Sequence, residues 1–345
     1  MRSPPALLAV LTGAVLVALV FGATTTTAAF GAYNPAWDGA SDLQAQADAV
    51  DSESKLAVNT SVYTAVDPNE TVAVIITPDE QYGPRDIARV RQFVSSGGTL
   101  VVAEDFAPHS NPLMSGIGAE TRFDGRLLRD ERHYYRSPNI TIATDVTRHP
   151  LTVGVDNLML NHGTTLTNVD TVNQSEILVN TSAYAYLDGN RNSQLDDVES
   201  LQRRPVVAVE ELGRGRIVAV SDPSLMINAM LERPGNRAFV RGLFASRNQV
   251  VLDYSHAQSL PPLSYAFVVV RGSGSLQAAI VLTLVALVCT VARYPGRVVG
   301  VLVPDESDSP VDKDAIVAQL RAEHPDWDTD RIERVASTRR WDERQ

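Results

Sequence analysis

Apolar positions along this chain fall into three kinds of run, and each predicts a different element. Short runs in which every position is apolar and β-branched residues dominate, such as TVAVIIT from Thr71 and TLVVAEDF from Thr99, are what a strand buried on both faces requires. Between them Ile87, Val90, Phe93 and Val94 recur at helical spacing, and Gly97-Gly98 closes that helix. Strand, helix and strand joined by short loops make a right-handed βαβ crossover, so the sheet is expected to be at least partly parallel. Residues 110–118 read as a short helix or loop. Alternating stretches such as NITIATDV and SEILVNTS predict several shorter strands over 125–182. PVVAVEELGRGRIVAVSDP, residues 205–223, is a hairpin turning at Gly213-Arg214-Gly215. SLMINAML starts a helix with Ser221 or Asp222 as its N-cap and Pro223 in its first turn. GNRAFVRGLFAS is a further helix, and NQVVLDYS is the last strand.

The third kind of run is long and uncharged. Residues 6–23 and 275–292 each hold eighteen residues without a charge, and Arg293 and Arg297 follow the second. The first predicts a signal anchor, with a cleaved signal peptide as the alternative; the second predicts a membrane span, with a buried core helix as the plainer reading. Arginine placement then puts both termini in the cytoplasm and the main domain outside the cell membrane. The expected division is an anchor over 1–32, an extracytoplasmic domain over 33–270, a span over 274–293 and a cytoplasmic tail of two short helices over 294–345. N-x-S/T sequons at Asn59, Asn69, Asn139, Asn173 and Asn180 all fall in the outer region.

Charge narrows the partners. The formal net charge is −11, and Lys55 and Lys313 are the only lysines, so nearly all positive charge is arginine. Such a composition suits very salty water, and it offers no basic stripe for nucleic acid. One cysteine, Cys289, lies inside the second apolar run, which leaves no disulfide framework and no thiol nucleophile in the main domain.

A strand, then a helix ending FVSSGGTLVVAEDF, then much later GRGRIVAVSDPSLMINAML, resembles the DUF4350 family, with the haloarchaeal branch most similar. The likeness covers roughly residues 30–290. It implies a membrane-anchored protein with a flavodoxin-like, glutamine-amidotransferase-like α/β domain on a partly parallel sheet, flanked by two transmembrane helices. It also implies, by association, an envelope complex with a MoxR-type ATPase and a von Willebrand-type protein as partners.

Catalytic motifs are missing: there is no G-x-S-x-G, H-E-x-x-H, G-x-G-x-x-G or Walker A sequence, and the histidines are scattered. Two constellations remain. Predicted strands end in Thr77-Pro78-Asp79, Glu104-Asp105 and Ser221-Asp222-Pro223-Ser224. In an open α/β sheet the strand carboxyl ends border the ligand crevice, so Thr77, Asp79, Glu104, Asp105, Ser221, Asp222 and Ser224 are candidate groove residues. The plainer reading is that they cap helices, and an antiparallel third strand would scatter them. The second constellation is DGNRNSQLDDVE. Asp188, Asn190, Asn192, Gln194, Asp196 and Glu199 occupy calcium-loop positions 1, 3, 5, 7, 9 and 12, with Gln194 offering its carbonyl. Ser193 stands where glycine is usual, which weakens the site, and Leu195 would anchor it in the core. The alternative is a solvated acidic turn.

The expected function is a non-catalytic binding or scaffold component of an archaeal envelope complex. The alternative is a hydrolase or transferase using carboxylates near Asp79, Glu104 and Asp222.

Overall fold

The computed structural model describes residues 26–106, 108–169, 175–257, 265–266, 269–270, 273–293 and 313–342. The chain divides into two compact units, 1–274 and 275–345.

The first unit is built on an eight-stranded sheet: β1 (Glu53–Ala57), β2 (Thr71–Ile76), β3 (Thr99–Ala103), β4 (Asp145–Val146), β5 (Ser175–Asn180), β6 (Pro205–Leu212), β7 (Gly215–Val220) and β8 (Gln249–Asp253). Their order in space is β1-β8-β2-β3-β7-β6-β5-β4. The pairs β1/β8, β8/β2, β2/β3 and β3/β7 are parallel. The pairs β7/β6, β6/β5 and β5/β4 are antiparallel. So β7 is antiparallel to its hairpin partner and parallel to β3, and the carboxyl ends of five neighbouring strands face one way.

Strand alternation divides the core between the two faces. Val72, Val74, Val101, Val218, Val250 and Leu252 pack on one side with α1 (Asp42–Asp48) and the later helices. Ala73, Ile75, Leu100, Val102, Ile217 and Val251 pack on the other with α2 (Pro84–Ser95) and α3 (Ser110–Ile117). Pro84 opens α2 at a position whose N–H would have no helical partner anyway. Val90, Phe93 and Val94 are its buried stripe, each contributing about 1.5–3 kcal/mol by leaving water. At its end Gly97 has φ 121°, a backbone that side chains disfavour, and the chain turns straight into β3.

The expected helix over SLMINAML is broken. Pro223–Met226 is a 3-10 turn, and α4 (Asn228–Leu231) starts after an extended Ile227. Asn228 explains the break: its side-chain oxygen accepts from the Asp42 N–H, and its amide donates to the carbonyls of Asn34 and Ala36. It fastens the start of the domain to α4. Pro234–Phe244 forms α5. Beside the main sheet, Leu127–Asp130 pairs with Ala185–Asp188, and Tyr134–Tyr135, Ser137–Ala143 and Leu158–Met159 form a small three-stranded sheet.

The second unit holds α7 (Lys313–Glu323) and α8 (Thr329–Asp342), which bury Leu320, Ile332 and Ala336 between them, with Trp327 against this cluster. The run over 275–292 is a helix, α6 (Gly274–Arg293). However, among the described residues no helix is long and apolar enough to cross a membrane. Ser275, Gln277 and Thr283 are polar positions within this one and Arg293 ends it. The two expected flanking transmembrane helices are therefore corrected: the second is not a span, and the first, over 6–23, lies outside the described residues. The cell-membrane anchor, the extracytoplasmic placement of the main domain and the cytoplasmic placement of both termini rested on those spans and lose their support with them.

Candidate functional site at the carboxyl edge of the sheet

Parallel pairing of β2, β3 and β7 brings the three predicted strand ends to one edge. Hydrogen bonds from Thr77 N to Ala103 O (2.9 Å) and from Glu104 N to Val220 O (3.0 Å) continue the sheet past its last formal pairs and set Thr77, Glu104 and Ser221 level. Each directly follows a residue of the α1-side core, Ile76, Ala103 or Val220, so by alternation all three lie on the face of α2 and α3.

Glu104 is fully buried. Its Oε1 accepts from the Asp105 N–H at 2.8 Å and its Oε2 from the Ser110 hydroxyl at 2.8 Å, which ties the start of α3 to the end of β3. Asp222, also fully buried, accepts from Ser224 N (2.8 Å) at one oxygen and from Asn161 N (2.5 Å) at the other. It is at once the cap of the following 3-10 turn and the anchor of the 160–164 segment. Burial pushes its pKa up to about 7, opposed by those two N–H bonds and assisted by the nearby charge of Asp105. Asp105 is half-buried, and burial raises its pKa too. Ser224 donates to Asn161 O at 3.3 Å. Ser221 accepts Thr164 N at its carbonyl, while its hydroxyl is buried without a hydrogen-bond partner. Asp79 stands apart: it is exposed, and its N–H is held by His256 O at 2.9 Å.

The 160–164 segment can lie this close because of Gly163. A Cβ there would come within 3.0 Å of Asp222 Cβ, Leu160 Cδ2 and Ser221 O. The predicted groove is thus filled by the chain's own loops at Glu104, Ser221 and Asp222, while Asp79 is exposed and Asp105 half-buried.

The 188–199 turn reaches the same edge, which the sequence did not foretell. Arg191 stacks its guanidinium 4.5 Å above the Phe106 ring and lowers the pKa of Asp105 against its burial. His162, held below its usual pKa by burial, feels Asp105, Arg129 and Arg191. Within the turn Asp188 is buried and accepts from Asn192 N (3.1 Å) and Ser193 N (2.9 Å). Ser193 has φ 65°, the left-handed turn that calcium-loop position 6 requires. Glu199 accepts from Gly189 N and Asp196 N, bridging the two ends of the turn. Asp196 accepts from the Asn190 and Asn192 side-chain amides at 2.8 and 2.9 Å. Gln194 N donates to Asn192 Oδ1 at 2.8 Å. These oxygen donors suit a hard cation, although Arg129, 3.9 Å from Asp188, opposes one. Among the described residues no group of three or more His, Cys, Asp and Glu side chains is placed to hold a metal. Leu195 does not anchor the turn: it is exposed, because neither flank is a helix with a core above it.

One strand-end carboxylate escaped the sequence reading. Asp253, ending β8, accepts from the buried Tyr63 and Tyr82 hydroxyls at 2.7 and 3.2 Å. Burial, then Asp253, drives both tyrosines well above their ordinary pKa. The rule that selected Asp79 and Glu104 would also have selected it in NQVVLDYS. His256 stacks on Tyr82 at 3.7 Å beside it.

Comparison with known proteins settles the family. The model for a domain of unknown function, DUF4350, matches residues 32–244. The chain belongs to the DUF4350 family. No curated protein matches it. Among solved structures it is similar to the mmIFT52 N-terminal domain, with 14% identity over 55% of this chain and 81% of that one at a TM-score of 0.42. It is also similar to a cytoplasmic protein, STM1381, from Salmonella typhimurium LT2, with 12% identity, 61% and 87% coverage and a TM-score of 0.34. A ThuA-like protein from Bacteroides uniformis matches at 12% identity, 55% and 75% coverage and a TM-score of 0.34. Likeness at this level carries no functional argument for the DUF4350 chain.

Proposed function

We propose that this DUF4350 protein is a non-catalytic binding or scaffold component. One observation carries the reading: at the carboxyl edge both oxygens of Glu104 and of Asp222 accept hydrogen bonds from the fold's own loops. Carboxylates used in this way fasten loops, and a general acid or base must instead reach a substrate proton. The kinship to glutamine-amidotransferase-like domains and the haloarchaeal source belong to the same proposal. The partners are those the resemblance implies, a MoxR-type ATPase or a von Willebrand-type protein. Affinity capture of the intact chain from native cells, with partners identified by mass spectrometry, tests this. Recovery of either partner is the expected result, and a chain recovered alone would count against it.

A calcium ion in the 188–199 turn is part of the proposal, as a clip and not as a sensor. Asp188, Asn190, Asn192, Asp196 and Glu199 would hold it with the Gln194 carbonyl, after Asn190 and Asn192 turn their amide oxygens inward. Millimolar calcium should raise the melting temperature of the wild type and leave Glu199→Gln unchanged; equal responses would remove the ion from the account.

A hydrolase or transferase reading has one observation in its favour: Asp222 lies close enough to feel the charge of Asp105, and burial raises both carboxyl groups, as acid catalysis by a carboxyl group requires. Turnover in an ester, peptide or glycoside screen that Asp105→Asn abolishes would establish it over the scaffold reading.

A further inference from the structure

The small sheet beside the main one carries a surface of a different character. Its first strand, Tyr134–Tyr135, lies between arginines. The guanidinium of Arg136 sits 5.0 Å from the centre of the Tyr135 ring, and that of Arg233, the residue that opens α5, sits 4.9 Å from the same centre. Two cations therefore share one aromatic ring and lie no more than about 10 Å apart, a placement that aromatic faces favour. Among the described residues neither guanidinium is ion-paired to a carboxylate, and neither donates a hydrogen bond to another side chain or carbonyl. The Arg233 Nε is buried without a partner. Tyr134 alongside is 42% exposed. A few residues away Arg132 repeats the arrangement, 4.9 Å over the ring of Tyr184, which is also exposed.

The chain around them carries a net charge of −11. With more carboxylates than cations available, two adjacent arginines left without an anion mark a place where the anion comes from outside. A guanidinium held over a ring can offer its outer N–H groups for bidentate contact with a carboxylate and gives up little freedom on binding. Arginine and tyrosine are also the residues over-represented at the centres of protein interfaces.

We propose that Tyr135, Arg136 and Arg233 form the centre of a docking surface for an acidic peptide segment of a partner protein. The proposal rests on the reading of this chain as a binding or scaffold protein and names the face that reading lacks. The surface lies on the small sheet and the start of α5, not at the carboxyl edge. It selects by charge: the rest of this acidic protein repels an acidic segment, so productive encounter is confined to the cationic face.

The test uses the full chain and a fluorescein-labelled ten-residue polyglutamate peptide, followed by fluorescence anisotropy. Saturable binding that weakens with added salt is expected. The Arg136→Gln/Arg233→Gln double variant should weaken it at least tenfold, and Arg214→Gln, at the distant β6–β7 turn, should leave it within twofold. Tyr135→Ala should weaken binding and Tyr135→Phe should preserve it, because the ring alone supports the arginines. If the double variant fails to fold, Arg136→Gln alone should still weaken binding about threefold, since Arg136 is exposed. No saturable binding, equal weakening by Arg214→Gln, or displacement of the peptide by inorganic phosphate at the peptide's own concentration would each overturn the proposal. The last outcome would make this a small-anion site. None of these failures touches the affinity capture, so the surface and the scaffold reading can fall separately.

Discussion

The carboxyl edge of the sheet and the Tyr135 strand use charge in opposite ways. At the edge, Glu104, Asp222 and Asp253 are buried and each carboxylate accepts hydrogen bonds from the protein itself. At the Tyr135 strand, Arg136 and Arg233 stack on a ring and find no anion. The lesson is that conspicuous strand-end carboxylates need not mark a place of action. Buried and bonded, such groups hold loops in place, because leaving any of their partners unsatisfied costs more than the bond contributes. Charge left over at the surface is the better pointer to something outside.

Substitutions should separate the two regions by size of effect. The largest belongs to Glu104. Glu104→Ala strands the Ser110 hydroxyl and the Asp105 N–H, and should lower unfolding free energy by roughly 3 kcal/mol in urea titration. A loss under about 1 kcal/mol would deny the fastening role. Comparable in size is the pH response of Asp222. Burial raises its pKa from 3.8 to about 7, so the folded chain keeps a proton that the unfolded chain releases within that window. Its stabilising contribution is complete below about pH 4 and lost as pH rises through about 7, with a slope of at most about 1.4 kcal/mol per pH unit. Asp222→Asn should remove that slope from the stability measured across pH 4–8; an unchanged slope would show that Asp222 is not the titrating group. A smaller loss, about 1–2 kcal/mol, is expected for Gly163→Ala, which forces the 160–164 segment off Asp222. Smallest is Arg136→Gln, which should change stability by no more than about 0.5 kcal/mol while weakening peptide binding. A large stability loss there would turn the contrast between the two regions into a likeness.

Much of the main sheet was legible because its strands are buried on both faces, and continuous runs such as TVAVII admit few other readings. The hairpin of β6 and β7 was legible from its turn. That β7 would lie parallel to β3 was not, since pairing between segments more than 100 residues apart is set by packing and leaves no local mark. The same limit hid the approach of Arg191 to Phe106 and the burial of Tyr63 and Tyr82 against Asp253. Leu195 misled because the spacing of a calcium loop was read with the core of a helix pair that this chain does not possess. The run over 275–292 misled because absence of charge was taken as the mark of a span, whereas among the described residues no helix is long and apolar enough to cross a membrane. The Tyr135 surface was passed over altogether: ERHYYRS reads as a polar connection until Arg233, almost 100 residues later, arrives on the same ring.

The two ends of the sheet bear on how such a protein survives crowding. An open sheet invites growth, since each outer strand presents unpaired N–H and carbonyl groups to any neighbouring copy. Here β4 is only two residues long, and β5 beside it is interrupted by register shifts where it meets β6. At the opposite margin β1 sets Glu53 and Lys55 among its outward positions. One margin is too short to template another strand and the other is guarded by charge, so a sheet of eight strands ends where it does instead of seeding fibrils.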